Sequence, residues 1–162
     1  MTQPNLQGRV IRLRPVVLDD QDRLVEIRAT DEVRRWWRGD DLSAEFREHL
    51  ARHHVPQFAI LNERGQVIGM IQYSEETDPD YRHASIDLYV DPSCHRRGYG
   101  SDAIRTLADH LFDGCGHHRL TIDPSVENKA AIACYRRVGF RTVGVMRAYE
   151  RNAAGEWSDG LL

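Results

Sequence analysis

The sequence predicts a mixed α+β domain, a sheet of short strands with helices packed on it. Three observations predict this class. Short apolar or alternating runs bounded by Pro, Gly, Asn and Asp recur along the chain as strand signals. Between them lie longer runs whose apolar residues repeat at helical spacing. The order is strand, helices, about four strands with helices between them, and a closing hairpin. With 162 residues the chain has the length of one domain, taken as 1–162, with room for a full core.

In order, residues 9–15 alternate, with Val10, Ile11 and Leu13 apolar, and read as the first strand. Residues 18–29 read as an amphipathic helix, with Asp19 and Asp20 in the first turn where carboxylates suit the helix dipole. The segment 33–41 holds Trp36 and Trp37. Vicinal residues cannot both face one core from a helix, so one tryptophan is expected at a cleft or loop, as a lid over the core or a wall for a ligand. Ser43, Phe46 and Leu50 mark a second helix ending near Arg52. Residues 57–61 and 66–73 read as strands joined by a hairpin turn ending at Gly65, and 75–80 as an acidic loop. A strand over 83–91 leads into a glycine-bearing loop, and 102–112 follow as a helix with Ile104, Leu107, Ala108 and Leu111 on one face. A short strand at 119–122 and a helix at 128–138, closed by Gly139, come next. Residues 140–147 and the stretch to Leu162 read as the last two strands.

Composition narrows the function classes. A hydrophobic fraction of 41% and a charged fraction of 29% are those of an ordinary soluble protein. With 22 basic and 25 acidic residues the net charge of −3 argues against a nucleic-acid or membrane-surface partner. No apolar run reaches the roughly 18 residues that span a bilayer, and the polar start lacks a secretory core, so the cytoplasm is the expected location. Cys94, Cys115 and Cys134 are odd in number and scattered, which disfavours a disulfide framework. His53–His54 and His117–His118 lack metal-ligand spacing; surface histidines and no metal site are expected.

The chemistry gathers at the loop His95-Arg96-Arg97-Gly98-Tyr99-Gly100-Ser101, between the strand ending in Leu88, Tyr89 and Val90 and the following helix. Glycines let the backbone turn tightly, and the free N–H groups of a helix's first turn point at whatever sits there. Arg96 and Arg97 add positive charge, so the loop is expected to hold phosphate or pyrophosphate.

Val90-Asp91-Pro92 followed by this loop resembles the acetyl-CoA motif of the GCN5-related N-acetyltransferases (GNAT superfamily), with His95 where that family usually has Gln or Arg. Residues 128–140 resemble the family's second motif, with Asn128, Ala131, Tyr135, Gly139 and Phe140 at its fixed positions. The resemblance covers residues 9–162 and implies the GNAT fold, a mostly antiparallel splayed sheet flanked by about four helices. It implies acetyl-CoA as cofactor, with the amides and side chains of residues 95–101 around the pyrophosphate. The pantetheine arm would then fill the gap beside Leu88, Tyr89 and Val90 as an extra strand. Asn128 is implied to hold that arm, although a helix N-cap explains it equally well. Tyr135 is implied as the general acid that protonates the departing thiolate, against the plain alternative of a core tyrosine.

The amine must lose a proton before it attacks. Asp87, a lone carboxylate in an apolar strand, is the first candidate base; Glu75, Glu76 or water are the others. Two groups within the family are similar to this chain. Aminoglycoside 6′-N-acetyltransferases share features resembling Trp36-Trp37, Glu75 to Pro79, Ile86-Asp87 and Ile122 to Ser125. Ribosomal-protein N-terminal acetyltransferases of the RimJ/RimL type share features resembling Gly155-Glu156-Trp157 and Asp159 to Leu162. Polycationic amino sugars suit carboxylates and tryptophan faces, which makes Trp36, Trp37, Glu75, Glu76 and Asp123 candidate acceptor residues. The expected acceptor is a small cationic amine, with a peptide N-terminus as the alternative and a non-catalytic acyl-CoA sensor as the rival class. An exposed end strand near Leu161 offers an edge for a homodimer.

Overall fold

The computed structural model describes residues 2–162. It opens with β1 (Leu6–Gln7) and β2 (Arg12–Pro15), joined by a turn whose Val10 and Ile11 N–H groups donate to the Asp102 carboxylate at 2.8 and 3.1 Å. A single turn, Leu18–Asp20, leads into α1 (Gln21–Arg28), α2 (Asp31–Trp36) and α3 (Leu42–Ala51). Buried Asp20 is satisfied by the Val17 N–H at 2.9 Å and by both Nη atoms of Arg14 at 2.8 Å. Asp41 caps α3 through the Ala44 N–H at 2.9 Å.

Strands β3 (Gln57–Leu61), β4 (Val67–Glu76), β5 (His83–Val90) and β6 (Leu120–Thr121) complete a six-stranded sheet in sequence order. All neighbours are antiparallel except β5 and β6. Alternation along the strands makes two cores. On one face Leu13, Phe58, Ile60, Ile71 and Ile86 pack under α4 (Tyr99–Asp109), a wider turn at His110–Gly114, and α5 (Lys129–Val138). On the other, Ala59, Met70 and Tyr89 pack under Leu24, Ile27, Val33 and Phe46 of α1–α3. Each fully buried Ile, Leu or Phe contributes about 1.5–3 kcal/mol, so both faces stabilise the sheet. A separate hairpin of β7 (Val145–Arg151) and β8 (Trp157–Leu161) docks through Leu161 N–H to Pro124 O at 2.8 Å and Val126 N–H to Asp159 O at 3.1 Å.

Several expectations are corrected. Among the described residues, positions 31–36 add a short fifth α-helix, one turn and a half carrying Trp36, in a segment that the sequence reading left without one. Glu75 and Glu76 belong to β4, where they pair with Ala84 and His83, and not to a loop. The strand expected from residue 140 begins only at Val145. The strand ending at Leu161 has no free edge, since β7 lies on one side and 124–126 on the other. His117 is not a surface histidine: it is 4% exposed. Among the described residues no helix is long and apolar enough to cross a membrane.

Candidate active site

The site begins where the sheet parts. β5 pairs with β4 along its whole length, from His83 opposite Glu76 to Val90 opposite Gly69. With β6 it pairs only at Ala84 and Ser85, and the chain beyond Thr121 turns away to meet β8. A slot is left beside Ile86 to Val90. The Asp91 N–H donates to Ile68 O at 2.7 Å, so by alternation Tyr89 and Asp87 direct their main-chain groups toward β4, while Leu88 and Val90 direct theirs into the slot. The Leu88 carbonyl accepts the Trp37 indole N–H at 3.2 Å, and the Val90 carbonyl accepts from His95 Nε2 at 3.0 Å. The Val90 N–H remains directed into the slot. Gly69 lets β5 lie this way: a Cβ there would stand 2.2 Å from the Tyr89 carbonyl oxygen.

At the slot's upper end the chain forms the glycine loop. Asp91 accepts the Ser93 N–H at 2.9 Å and is held by Arg23 Nη2 at 2.5 Å, which fixes the loop to α1. Arg96 takes φ 62° and Gly98 φ 79°, the left-handed turns that aim successive N–H groups outward before α4 begins at Tyr99. Arg96 and Arg97 are exposed, and nothing stands within 4 Å of a Cβ at Gly98. Tyr99 contributes main chain only, because its ring is buried and its hydroxyl donates to Glu63 at 2.8 Å. Ser101 Oγ lies 3.2 Å from Cys134 Sγ and ties α4 to α5. Free first-turn amides beginning with Gly100, two exposed arginines and an open glycine suit a diphosphate, and the unpaired edge of β5 suits an amide-bearing arm. His95 is turned back onto Val90, and Asn128 caps α5 through the Ala131 N–H at 3.3 Å.

Acid–base groups line the slot from both faces of the sheet. Asp87 shares a face with Tyr89, and Tyr135 comes from α5 on the other. The Asp87 side chain is exposed to water on one side, yet the protein packed around its carboxylate desolvates it. That desolvation, with the negative charge of Asp123 second, raises its pKa to about 7, against the pull of the Leu88 N–H. Tyr135 is pushed far above the usual phenol range, first by burial and then by the charge of Asp87, so it keeps its proton. The Tyr149 hydroxyl donates to Asp123, which raises Tyr149 to about 12; burial and Asp123 also raise Glu150.

The expected acceptor residues divide. Trp37 packs edge-on against Tyr89 at 5.0 Å, a wall of the core. Trp36 lines a pocket of about 230 Å³ with Ser125, Glu127, Glu150 and Asn152. Asp123 lies at the slot. Glu75 and Glu76 do not: they sit beyond the point where β6 joins β5, Glu75 on His117 Nε2 at 2.6 Å and Glu76 on the Asp78 N–H at 3.0 Å. Tyr149 and Glu150 were missed by sequence reasoning, because only the hairpin register carries them to Asp123. Gly69 was missed too, although a glycine inside a strand signals a close backbone approach.

Residues 22–140 match the model of the acetyltransferase (GNAT) family. The chain is 31% identical over 157 residues to the aminoglycoside N(6′)-acetyltransferase type 1 of Klebsiella pneumoniae, covering 84% of this chain and 76% of that one. It is also 31% identical over 116 residues to the N-alpha-acetyltransferase RimI of Mycobacterium tuberculosis, covering 70% of each. RimJ of Mycobacterium smegmatis, solved in complex with CoA-disulfide, superposes with a TM-score of 0.82 at 25% identity, over 98% of this chain and 83% of that one. The chain belongs to the GNAT family of acetyltransferases, enzymes that take their acetyl group from acetyl-CoA.

Proposed function

We infer that this enzyme acetylates a primary amine of a small cationic acceptor, such as an aminoglycoside, by direct attack while donor and acceptor are bound together. The carrying observation is the pair formed by Asp87, raised to about 7, and the protonated Tyr135 on opposite sides of one slot. The donor supplies a thioester carbonyl and a thiolate leaving group. Arg96, Arg97 and the amides opening α4 hold its diphosphate. The Val90 N–H polarises the carbonyl, as an oxyanion donor does. Asp87, half-ionised near neutrality, takes the ammonium proton at its carboxylate, and Tyr135 holds at Oη the proton that the leaving sulfur needs.

The neighbouring carboxylates of Asp87, Asp123 and Glu150, the last of which shares a pocket with Trp36, favour a cationic acceptor. One observation favours a peptide N-terminus instead. Arg35 and Arg151 also line the pocket of about 230 Å³, and a polycation would avoid them where an acidic peptide would not. Release of CoA thiol from acetyl-CoA, measured with aminoglycosides, polyamines and short peptides, decides the class. The first reading expects the highest kcat/KM with an aminoglycoside; a peptide turning over faster replaces it.

A further inference from the structure

We propose that Tyr149 is a positioning residue for the acceptor: its hydroxyl fixes the Asp123 carboxylate, which then holds a second ammonium group while the first meets Asp87. The proposal rests on the acceptor-site reading above. The Tyr149 hydroxyl donates to Oδ2 of Asp123, 26 residues away in the chain. Among the described residues no hydrogen bond reaches Oδ1 of that carboxylate, which leaves it to an incoming cation. Asp87 is near enough to feel the charges of both Asp123 and Glu150. The phenol adds no charge of its own, so Asp123 stays a full anion while losing the freedom to rotate. A carboxylate ordered in advance binds a cation at a lower entropic cost. Asp87 has to take the proton of the reacting amine, and Asp123 supplies a separate anion beside it.

The hairpin is shaped around this one contact. Its ladder breaks between Met146 and Glu150, where Arg147, Ala148 and Tyr149 stand opposite Asp159 alone. Bulges of this kind re-aim a side chain and are common beside active sites. Ala148 takes φ 48°, a left-handed conformation that residues other than glycine seldom adopt. Its N–H is held by Oδ1 of Asp159 at 2.8 Å, and the Asp159 carbonyl accepts the Val126 N–H at 3.1 Å. The bulge is thereby tied to the same turn after β6 that carries Asp123. Gly160 leaves room for the ring: a Cβ there would lie 2.6 Å from Cδ1 and 3.2 Å from Cγ of Tyr149. Packing does not account for this arrangement, because Tyr149 is 44% exposed and its burial contributes little. A left-handed alanine, a bulge and a missing side chain converge on the placement of one hydroxyl.

The test is steady-state acetylation by the intact enzyme at saturating acetyl-CoA, with kanamycin and spermidine, which carry several amino groups, and glucosamine, which carries one. Wild type should show its higher kcat/KM with kanamycin or spermidine. Tyr149→Phe keeps the ring over Gly160 and removes only the hydroxyl. Its KM for that acceptor should rise about tenfold, as for the loss of one hydrogen bond to a charged group, with kcat within about twofold and the thermal unfolding transition unchanged. A β-branched residue resists the left-handed conformation, so Ala148→Val should raise the same KM in wild type and raise it little further in Tyr149→Phe. Tyr149→Phe decides alone where Ala148→Val does not fold. Unchanged KM in Tyr149→Phe would overturn the proposal and leave the acceptor site standing. A fall in kcat at unchanged KM would also overturn it, by moving the hydroxyl into the chemistry. Glucosamine preferred by wild type would remove the second ammonium group. No turnover of kanamycin or spermidine by wild type would remove the acceptor-site reading and the role of Tyr149 with it.

Discussion

The Asp87 carboxylate and the Tyr135 hydroxyl face one slot from opposite sides of the sheet, and the charge of the first helps keep the proton on the second. A phenol held protonated in this way suits the proposed role of proton donor and not that of a base. Tyr135→Phe removes the proton and little else, since the hydroxyl has no hydrogen-bond partner among the described residues. Its kcat should fall about 10²-fold, the low end for general acid catalysis, with KM for acetyl-CoA within about twofold of wild type. Steady-state kinetics with saturating acceptor checks both. Full turnover by Tyr135→Phe would return Tyr135 to the role of a core aromatic.

The pH–rate profile follows from Asp87. A base works deprotonated, so with Asp87 in the proposed role kcat/KM should rise with pH and level off above about 7. Asp123 is the second cause of that raised value, after desolvation by the surrounding protein, and its negative charge opposes ionisation of Asp87. Asp123→Asn should therefore move the acid limb to lower pH without abolishing it. Asp87→Asn should erase the inflection and lower the rate about 10²-fold. An unchanged profile in Asp87→Asn would transfer the proton to water.

The same shift carries a stability cost. Asp87 binds its proton more tightly in the folded chain than in the unfolded one, where carboxylates titrate near 4. Stability is thus lost as pH rises from about 4 through about 7, and wild type carries the whole penalty above that window. Asp87→Asn should unfold at a higher temperature than wild type at pH about 8, by about 2–4 °C per kcal/mol relieved, and the gain should vanish near pH 4. Calorimetry at the two pH values measures it. A variant less stable than wild type at both would show that Asp87 is held mainly by favourable contacts.

Much of this arrangement was legible in the chain because it is local. The strand, glycine loop and helix from Leu88 to Ser101 are set by turn chemistry within about fifteen residues, and so is the cap from Asn128 to Ala131. What was not legible depends on register between distant strands. Glu75 reads as an acidic-loop residue until the ladder places it opposite Ala84, and Glu150 has no local mark at all. The adjacent histidines hid a buried one. His118 is exposed and His117 is not, because only the latter reaches Glu75 across 42 residues.

That contact makes Glu75 a stability residue. The His117 side chain is fully buried, and Glu75 Oε1 is its partner at 2.6 Å. Glu75→Ala leaves a buried ring nitrogen unsatisfied, which costs about 1–3 kcal/mol. The melting temperature should fall while KM for the acceptor stays within about twofold. Raised acceptor KM with unchanged melting would instead bring Glu75 back to the substrate.

Gly69 governs the slot itself. At this position β4 and β5 approach so closely that a Cβ would lie 2.2 Å from Tyr89 O and 3.0 Å from the Val90 Cα, both main-chain atoms that no side-chain rotation can move. The strand must shift instead, and the only open side is the slot, where β6 has already parted from it. Overpacking of this kind costs about 1–3 kcal/mol. It would also carry the Val90 N–H and the Leu88 carbonyl toward the far wall, narrowing the edge proposed to hold the donor's arm. Gly69→Ala should therefore melt below wild type and bind acetyl-CoA more than about tenfold more weakly, a loss of about 1.4 kcal/mol. Gly144→Ala, where nothing stands within 4 Å of the added carbon, should match wild type in both. Wild-type affinity in a folded Gly69→Ala protein would mean that the slot's width is set elsewhere, by the turn of residues 122–126 toward β8.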